Sequence, residues 1–294
     1  MAASNTEGTP ILICVLAHNE ECLIGACLDS LPLGDPSIAV AVVVNGSTDG
    51  TAAIVRRYES RGVRLVEYSE GGKARSWNRF MLDEAPRAET FVFVDGDARL
   101  LPGSVEALAR CLRDHPGANA AAGMPRNGRR AAEYRQLLCK DGGLFGDLYA
   151  LSGAFVERLR ASGLRLPEDL VGDDSLIGAL AHTDLGGDAD WDDARVIACE
   201  GAGFLCEPNT IHPASLRMQS KRMVSYAVRH FQNRMISAIM RETGPHDIPS
   251  RMADIYEAWL PRLRPRLSPV WYWFDRRALA RMRAAAVRAR ARGS

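Results

Sequence analysis

The chain predicts an α/β fold, with a mostly parallel central sheet flanked by helices. Three observations carry that expectation. Apolar, β-favouring runs recur at residues 11–16, 38–44 and 91–94, unbroken as in strands buried on both faces of a parallel sheet. Stretches of helical periodicity lie between them, so strand alternates with helix through roughly residues 10–123. Polar loops follow the first, second and fourth strands, which places them along one edge of the sheet, where ligands of open α/β folds collect.

The first strand, residues 11–16, runs into Ala17-His18-Asn19-Glu20-Glu21. Leu23, Ile24, Cys27, Leu28 and Leu31 then recur at helical spacing until Pro32 stops them. The second strand, 38–44, ends in Asn45-Gly46-Ser47-Thr48-Asp49-Gly50-Thr51. Its turn residues and hydroxyls suit a helix start, and Ile54, Val55 and Tyr58 mark the helix behind it. A short third strand spans 63–68, and Gly71-Gly72-Lys73 leads into a helix carrying Arg75, Trp77, Asn78 and Met81. The fourth strand, Phe91-Val92-Phe93-Val94, stops at Asp95-Gly96-Asp97. A helix over 105–112 and a small-residue strand over 119–123 complete this half.

The second half is less regular. Residues 126–130 read as a basic, glycine-containing loop. Ser152-Gly153 opens a helix through Phe155, Val156 and Leu159, and Asp173-Asp174 opens another with Leu176, Ile177 and Leu180 on one face. Residues 183–193 are acidic and glycine-rich, as in a surface loop. Short strands are expected at 196–199 and 204–206, then a long helical stretch over 216–240.

With 294 residues, 47% of them apolar, the chain can bury a substantial core. A formal net charge of +1 leaves no basic field to collect phosphates, so nucleic acid is not an expected partner. No apolar run approaches the ~20 residues of a membrane span. Residues 1–10 are polar and lack the regions of a signal peptide. Cysteines at 14, 22, 27, 111, 139, 199 and 206 show neither zinc spacing nor a disulfide framework, which predicts a reducing, cytoplasmic setting.

Asp95 and Asp97 flank a glycine that lets the chain bend sharply after a buried strand. Two acids there suit a hard divalent cation that also meets phosphates. The competing reading has them capping the helix prepared by Leu101-Pro102-Gly103-Ser104. Asp173 and Asp174 likewise have two readings. They are either acids favoured by a helix N-terminus, or a pair in which repulsion raises one pKa for proton transfer. Neither Gly-x-Gly-x-x-Gly nor a Walker lysine loop follows the first strand, which disfavours an ordinary dinucleotide or ATP site.

In this order, Ala17-His18-Asn19-Glu20-Glu21, Asn45-Gly46-Ser47-Thr48-Asp49-Gly50-Thr51, Gly72-Lys73-Ala74 and Asp95-Gly96-Asp97 resemble family-2 glycosyltransferases with the GT-A fold. Asp173-Asp174-Ser175-Leu176 is similar to that family's Glu-Asp-x-x-Leu segment. Gln219-Ser220-Lys221-Arg222-Met223 is similar to its Gln-x-x-Arg-Trp. The resemblance covers about residues 10–225. It implies the GT-A, or nucleotide-diphospho-sugar transferase, fold with a nucleotide-sugar-binding half over 1–123. An acceptor-binding half of the same domain would follow over 124–215, and a C-terminal helical extension over 216–294.

The activity the resemblance implies is inverting, metal-dependent transfer of a sugar from a nucleoside diphosphate, a UDP-sugar being favoured, to an acceptor nucleophile. Mn²⁺ or Mg²⁺ would sit on Asp95 and Asp97, Asp97 being the better direct ligand and His212 a third candidate. Donor contacts would come from Ala17, His18, Asn19, Glu20, Asn45, Ser47, Asp49, Gly72, Lys73, Arg75, Asn78, Asp95 and Gly96. Asp174 would be the general base, with Asp173 as its understudy. Ser152, Gly153, Gln219 and Arg222 would support the acceptor or a phosphate. The acceptor itself, whether small molecule, glycan, peptide or lipid-linked, is not legible. The chain departs from the family pattern at Val44-Asn45, where many relatives carry an acid pair, and at Met223, where processive synthases carry Trp. Transfer of a single sugar is therefore expected.

Trp271-Tyr272-Trp273-Phe274 precedes Arg276, Arg277, Arg281, Arg283, Arg288, Arg290 and Arg292. Such a tail suits peripheral contact with an anionic membrane, or packs its rings on the domain and leaves its arginines in solvent. Two rival functions remain open: a nucleotidyltransferase acting on a sugar phosphate, and a non-catalytic nucleotide-sugar-binding protein.

Overall fold

The computed structural model describes residues 9–206 and 213–293. The strands are β1 (Thr9–Ala17), β2 (Ile38–Asn45), β3 (Val63–Tyr68), β4 (Ala88–Asp95), β5 (Ala98–Leu100), β6 (Ala120–Pro125), β7 (Leu148–Ser152) and β8 (Val196–Cys206). They form one sheet in the order β3-β2-β1-β4-β7-β6-β8-β5. β1 to β4 are mutually parallel, β6 and β8 run with them, and β7 and β5 run against them. The predicted α/β fold with a mostly parallel sheet is the observed one.

The unbroken apolar runs are strands because both of their faces are covered. In β1, Leu12, Cys14 and Leu16 belong to one core while Ile13, Val15 and Ala17 belong to the other, on the opposite face. The alternation of a strand thus feeds two apolar layers. Helices α1 (Ile24–Asp29), α2 (Thr51–Arg56), α3 (Lys73–Asn78) and α4 (Ser104–Asp114) connect the first strands, and α3 continues as a π-helical turn over Arg79–Glu84.

The second half differs from expectation in three places. β7 was not expected, and neither was helix α5 (Ala131–Asp141). α5 has no apolar stripe to read: of its large apolar side chains, Leu138 is buried while Tyr134 and Leu137 are exposed. The two short strands expected at 196–199 and 204–206 are one strand, β8, whose pairing with β6 slips between Ala122 and Met124. Residue 123, where the two expected halves of the one domain meet, lies within β6.

Helices α6 (Gly153–Ser162) and α7 (Asp173–His182) follow, then α8 (Pro213–Glu242), the short α9 (Tyr256–Trp259) and α10 (Pro269–Gly293). Phe231 and Met235 of α8 and Ala278, Leu279 and Met282 of α10 are buried in the same core as one face of the sheet. α8 is further tied down by Gln232. Its Oε1 accepts from Val171 N at 2.9 Å, and its Nε2 donates to the Asp169 carbonyl at 3.1 Å.

Candidate active site

One rim of the sheet collects the C-terminal ends of β1, β2 and β4. Gly96 brings the β4 end hard against β1. Its N–H donates to the Leu16 carbonyl at 2.9 Å, and a Cβ there would stand 2.9 Å from the Ala17 Cβ. No larger residue could keep that approach, which is why the two acids of Asp95-Gly96-Asp97 fall where they do.

Asp147 joins them. Asp95, Asp97 and Asp147 each offer a carboxylate oxygen, all within 4.8 Å of one another. Burial pushes the Asp95 carboxyl up to about 8, against the lowering pull of Lys73. Burial and the charge of Asp97 raise Asp147. Burial and the same Asp97 push Glu20 up to about 7, with Arg222 opposing. The rim therefore concentrates more negative charge than it can comfortably ionise, the situation a bound divalent cation relieves. Three carboxylates form an all-oxygen donor set that suits Mn²⁺ or Mg²⁺.

Lys73 sits beneath this cluster, its Nζ 2.6 Å from Asp95 Oδ1 and 3.6 Å from Asp173 Oδ1. Burial works against its ammonium, but Asp173 and Asp95 outweigh burial and hold its pKa above the ordinary lysine value. At the start of α7, Asp173 is 3% exposed and its Oδ2 is buried without a hydrogen-bond partner. Its neighbour Asp174 accepts from Arg229 Nη2 of α8 at 3.0 Å. Gly146 separates the two groups of acids: a Cβ there would lie 3.7 Å from Asp95 Oδ2 and 3.8 Å from Asp174 Cγ.

The loops after β1 and β2 are stitched into one wall. Asn19, held in the left-handed region at φ 56°, accepts from Thr48 N at 2.8 Å, and its own N–H donates to Ser47 Oγ at 3.0 Å. Asp49 accepts from Glu21 N at 3.1 Å and Thr51 N at 3.1 Å, while Thr51 Oγ1 accepts from Glu20 N at 2.8 Å. His18 Nδ1 donates to the Asn45 carbonyl at 2.6 Å, which leaves Nε2 to accept from Asn19 Nδ2 at 3.2 Å.

Several residues expected to contact ligand are occupied otherwise. The Asn45 side chain is buried, donating to the Ala17 carbonyl at 3.0 Å and accepting from Gly72 N at 3.1 Å, so it ties loops together. Asn78 faces away, its amide paired in both directions with the Leu166 backbone. Arg75 is held by Glu70 and Glu168 at 2.5 and 3.2 Å. Ser152 and Gly153 are the clearest correction. β7 runs antiparallel to β4 with Ser152 opposite Thr90, so its end lies at the rim opposite the acids. There Ser152 Oγ caps α6 and Gly153 packs on the Ala88 carbonyl. His212 lies outside the described residues. Gln219 is half-buried and Arg222 exposed on α8, Arg222 near enough to Glu20 to lower its pKa.

Two residues escaped the sequence reading. Asp147 immediately precedes β7, whereas the ligands of open α/β sheets collect at the C-terminal ends of strands. Because β7 is antiparallel, its start shares the rim with the end of β4. Arg229 lies seven residues beyond Arg222 on the same helix and carries no motif.

Residues 12–161, just over half of the chain, match the sequence model of Glycosyl transferase family 2. The lipopolysaccharide core biosynthesis glycosyltransferase LpsC of Rhizobium meliloti is 31% identical over 105 residues, 35% of this chain and 37% of that protein. The match spans about a third of the length of the curated relatives it reaches. Among solved structures, a mannosyltransferase from Pyrobaculum calidifontis, in complex with GDP-Man and Mn²⁺, superposes with a TM-score of 0.57 at 21% identity. The match covers 95% of this chain and 86% of that one. Glucosyl-3-phosphoglycerate synthase from Mycobacterium tuberculosis, in complex with Mn²⁺, UDP and phosphoglyceric acid, gives 0.50 at 23% identity, over 76% of this chain and 78% of that one. At these identities the likeness is one of fold.

Proposed function

The chain belongs to glycosyl transferase family 2, and from that premise we propose that it moves a single sugar, with inversion, from a nucleoside diphosphate to an acceptor hydroxyl or related nucleophile. The observation that carries the reading is the gathering of Asp95, Asp97 and Asp147 at the rim walled by the β1 and β2 loops. Those three carboxylates would hold a divalent cation, which when bound supplies positive charge to a departing diphosphate. The solved relatives with Mn²⁺ beside GDP-Man or UDP support that assignment. A UDP-sugar is the donor we favour.

Each of the chain's own residues has a definable part. Asn45 and the Asn19–Ser47–Thr48 contacts shape the wall against which a nucleoside would rest. Lys73 neutralises Asp95 and Asp173, holding the floor of the site together. Arg229 orients Asp174, which takes the proton of the acceptor hydroxyl as its oxygen bonds to the anomeric carbon. The bond from that carbon to the diphosphate oxygen breaks on the opposite face, and the nucleoside diphosphate leaves. Arg222, facing Glu20, brings a cation to the open side of the rim.

Incubating the protein with a panel of nucleotide sugars, acceptors and Mn²⁺ is expected to release nucleoside diphosphate. Release of pyrophosphate would favour a nucleotidyltransferase instead. Binding of donors without any product would mark a non-catalytic binder.

We also propose that the start of α10 touches an anionic membrane. No helix among the described residues is long and apolar enough to cross one. Leu267, Val270, Tyr272 and Trp273 are nevertheless 98%, 60%, 46% and 49% exposed, with Arg276 and Arg277 over the two rings. Ala278, Leu279 and Met282 are buried, so cutting the helix off would disturb the core, whereas substitutions at the exposed rings would not. Tyr272→Ser with Trp273→Ser is expected to lower co-sedimentation with phosphatidylglycerol vesicles by about tenfold, from the lost ring burial. Equal binding would remove this contact.

A further inference from the structure

Behind the loop that leads into Asp173 and Asp174 lies a second cavity, of about 320 Å³, between α8, α10 and residues 251–256. Arg251, Arg281, Arg288 and Arg292 line it. Its lining contains one acid, Asp169, and both oxygens of that carboxylate are engaged by backbone amides, those of Met252 at 2.6 Å and Ala253 at 3.0 Å. The guanidinium groups have little to balance them. Arg251 reaches Glu168 only at 3.7 Å, and its Nε is buried with no hydrogen-bond partner. Arg281 donates to Ser225 Oγ and Arg292 to the Arg288 carbonyl, both at 3.3 Å. Among the described residues no carboxylate pairs with Arg281, Arg288 or Arg292.

We propose that this cavity is a binding site for a phosphate-bearing anion, separate from the acid-lined rim. Four guanidinium groups converge on one hollow, three of them exposed on α10, and an anion seated between them is attracted by all four. Guanidinium groups in a fork match phosphate oxygens two at a time. The volume suits a small ligand or a headgroup. Val171, Val228 and Met282 supply apolar walls beside the charged ones.

The test needs neither donor nor metal, so its outcome is independent of the transferase reading. In EDTA, at constant ionic strength, inorganic pyrophosphate is expected to raise the melting temperature of the full chain by several degrees. Arg281→Gln with Arg288→Gln is expected to lose that shift. Arg283→Gln with Arg290→Gln removes the same charge from the same helix, outside both the cavity and the exposed rings, and is expected to keep it. If pyrophosphate has no effect but vesicles containing phosphatidic acid bind wild type and not the cavity variant, the phosphate comes from a lipid headgroup and the site stands. Should pyrophosphate and vesicles treat the two double variants alike, or act on neither wild type nor variant, the site does not exist.

Discussion

Asp97→Ala is expected to abolish metal-dependent donor binding while leaving the fold intact. Asp97 sits on a turn at the rim, bears no structural ion pair among the described residues, and contributes one of three convergent carboxylate oxygens. Removing a direct ligand should cost at least the ~100-fold that even outer partners of a metal site can cost. Titrating Mn²⁺ into the protein with UDP, by calorimetry, gives the readout. Asp97 is a cleaner probe than Asp95, because losing Asp95 would also strip Lys73 of its 2.6 Å partner and unbalance Asp173. Mn²⁺ and UDP binding to the Asp97 variant as tightly as to wild type would end the proposal that the cluster holds the cation.

Asp174→Asn should separate binding from chemistry. The amide oxygen can still accept from Arg229 Nη2, so the start of α7 keeps its place. What is lost is the ability to take a proton. Donor affinity is expected to stay near wild type while the transfer rate falls by about 10²- to 10⁴-fold, the usual contribution of a general base. A single-turnover assay beside a binding titration distinguishes the two. Transfer at near wild-type rate would move the role elsewhere. Asp173 is the poorer candidate, since its carboxylate is taken up by the Lys73 ammonium 3.6 Å away.

Much of the fold was legible because parallel strands buried on both faces are continuous apolar runs, and each is followed by a helix with its own periodicity. β1 to β4 and the rim they create are therefore legible in the residues alone. Legibility failed where that logic reverses. α5 has no apolar face, β7 is a short apolar run beside a glycine, and β8 slips register in mid-strand. Part of the site failed with them. Ser152 and Gly153 lie at the rim away from the acids and Asp147 lies among them for the same reason: the direction of β7 is not written in its residues.

Sequence by itself determined which residues could carry charge at the end of a parallel strand, Asp95 and Asp97, and at the start of a helix, Asp173 and Asp174. Only the tertiary structure decided which of them meet. An antiparallel strand delivers Asp147 to the cluster, Lys73 is caught between two acids, and a helix from far along the chain brings Arg229 to Asp174. Local patterning records burial and turn chemistry, whereas the convergence of charges depends on strand direction and helix docking, which contacts distant in sequence alone set.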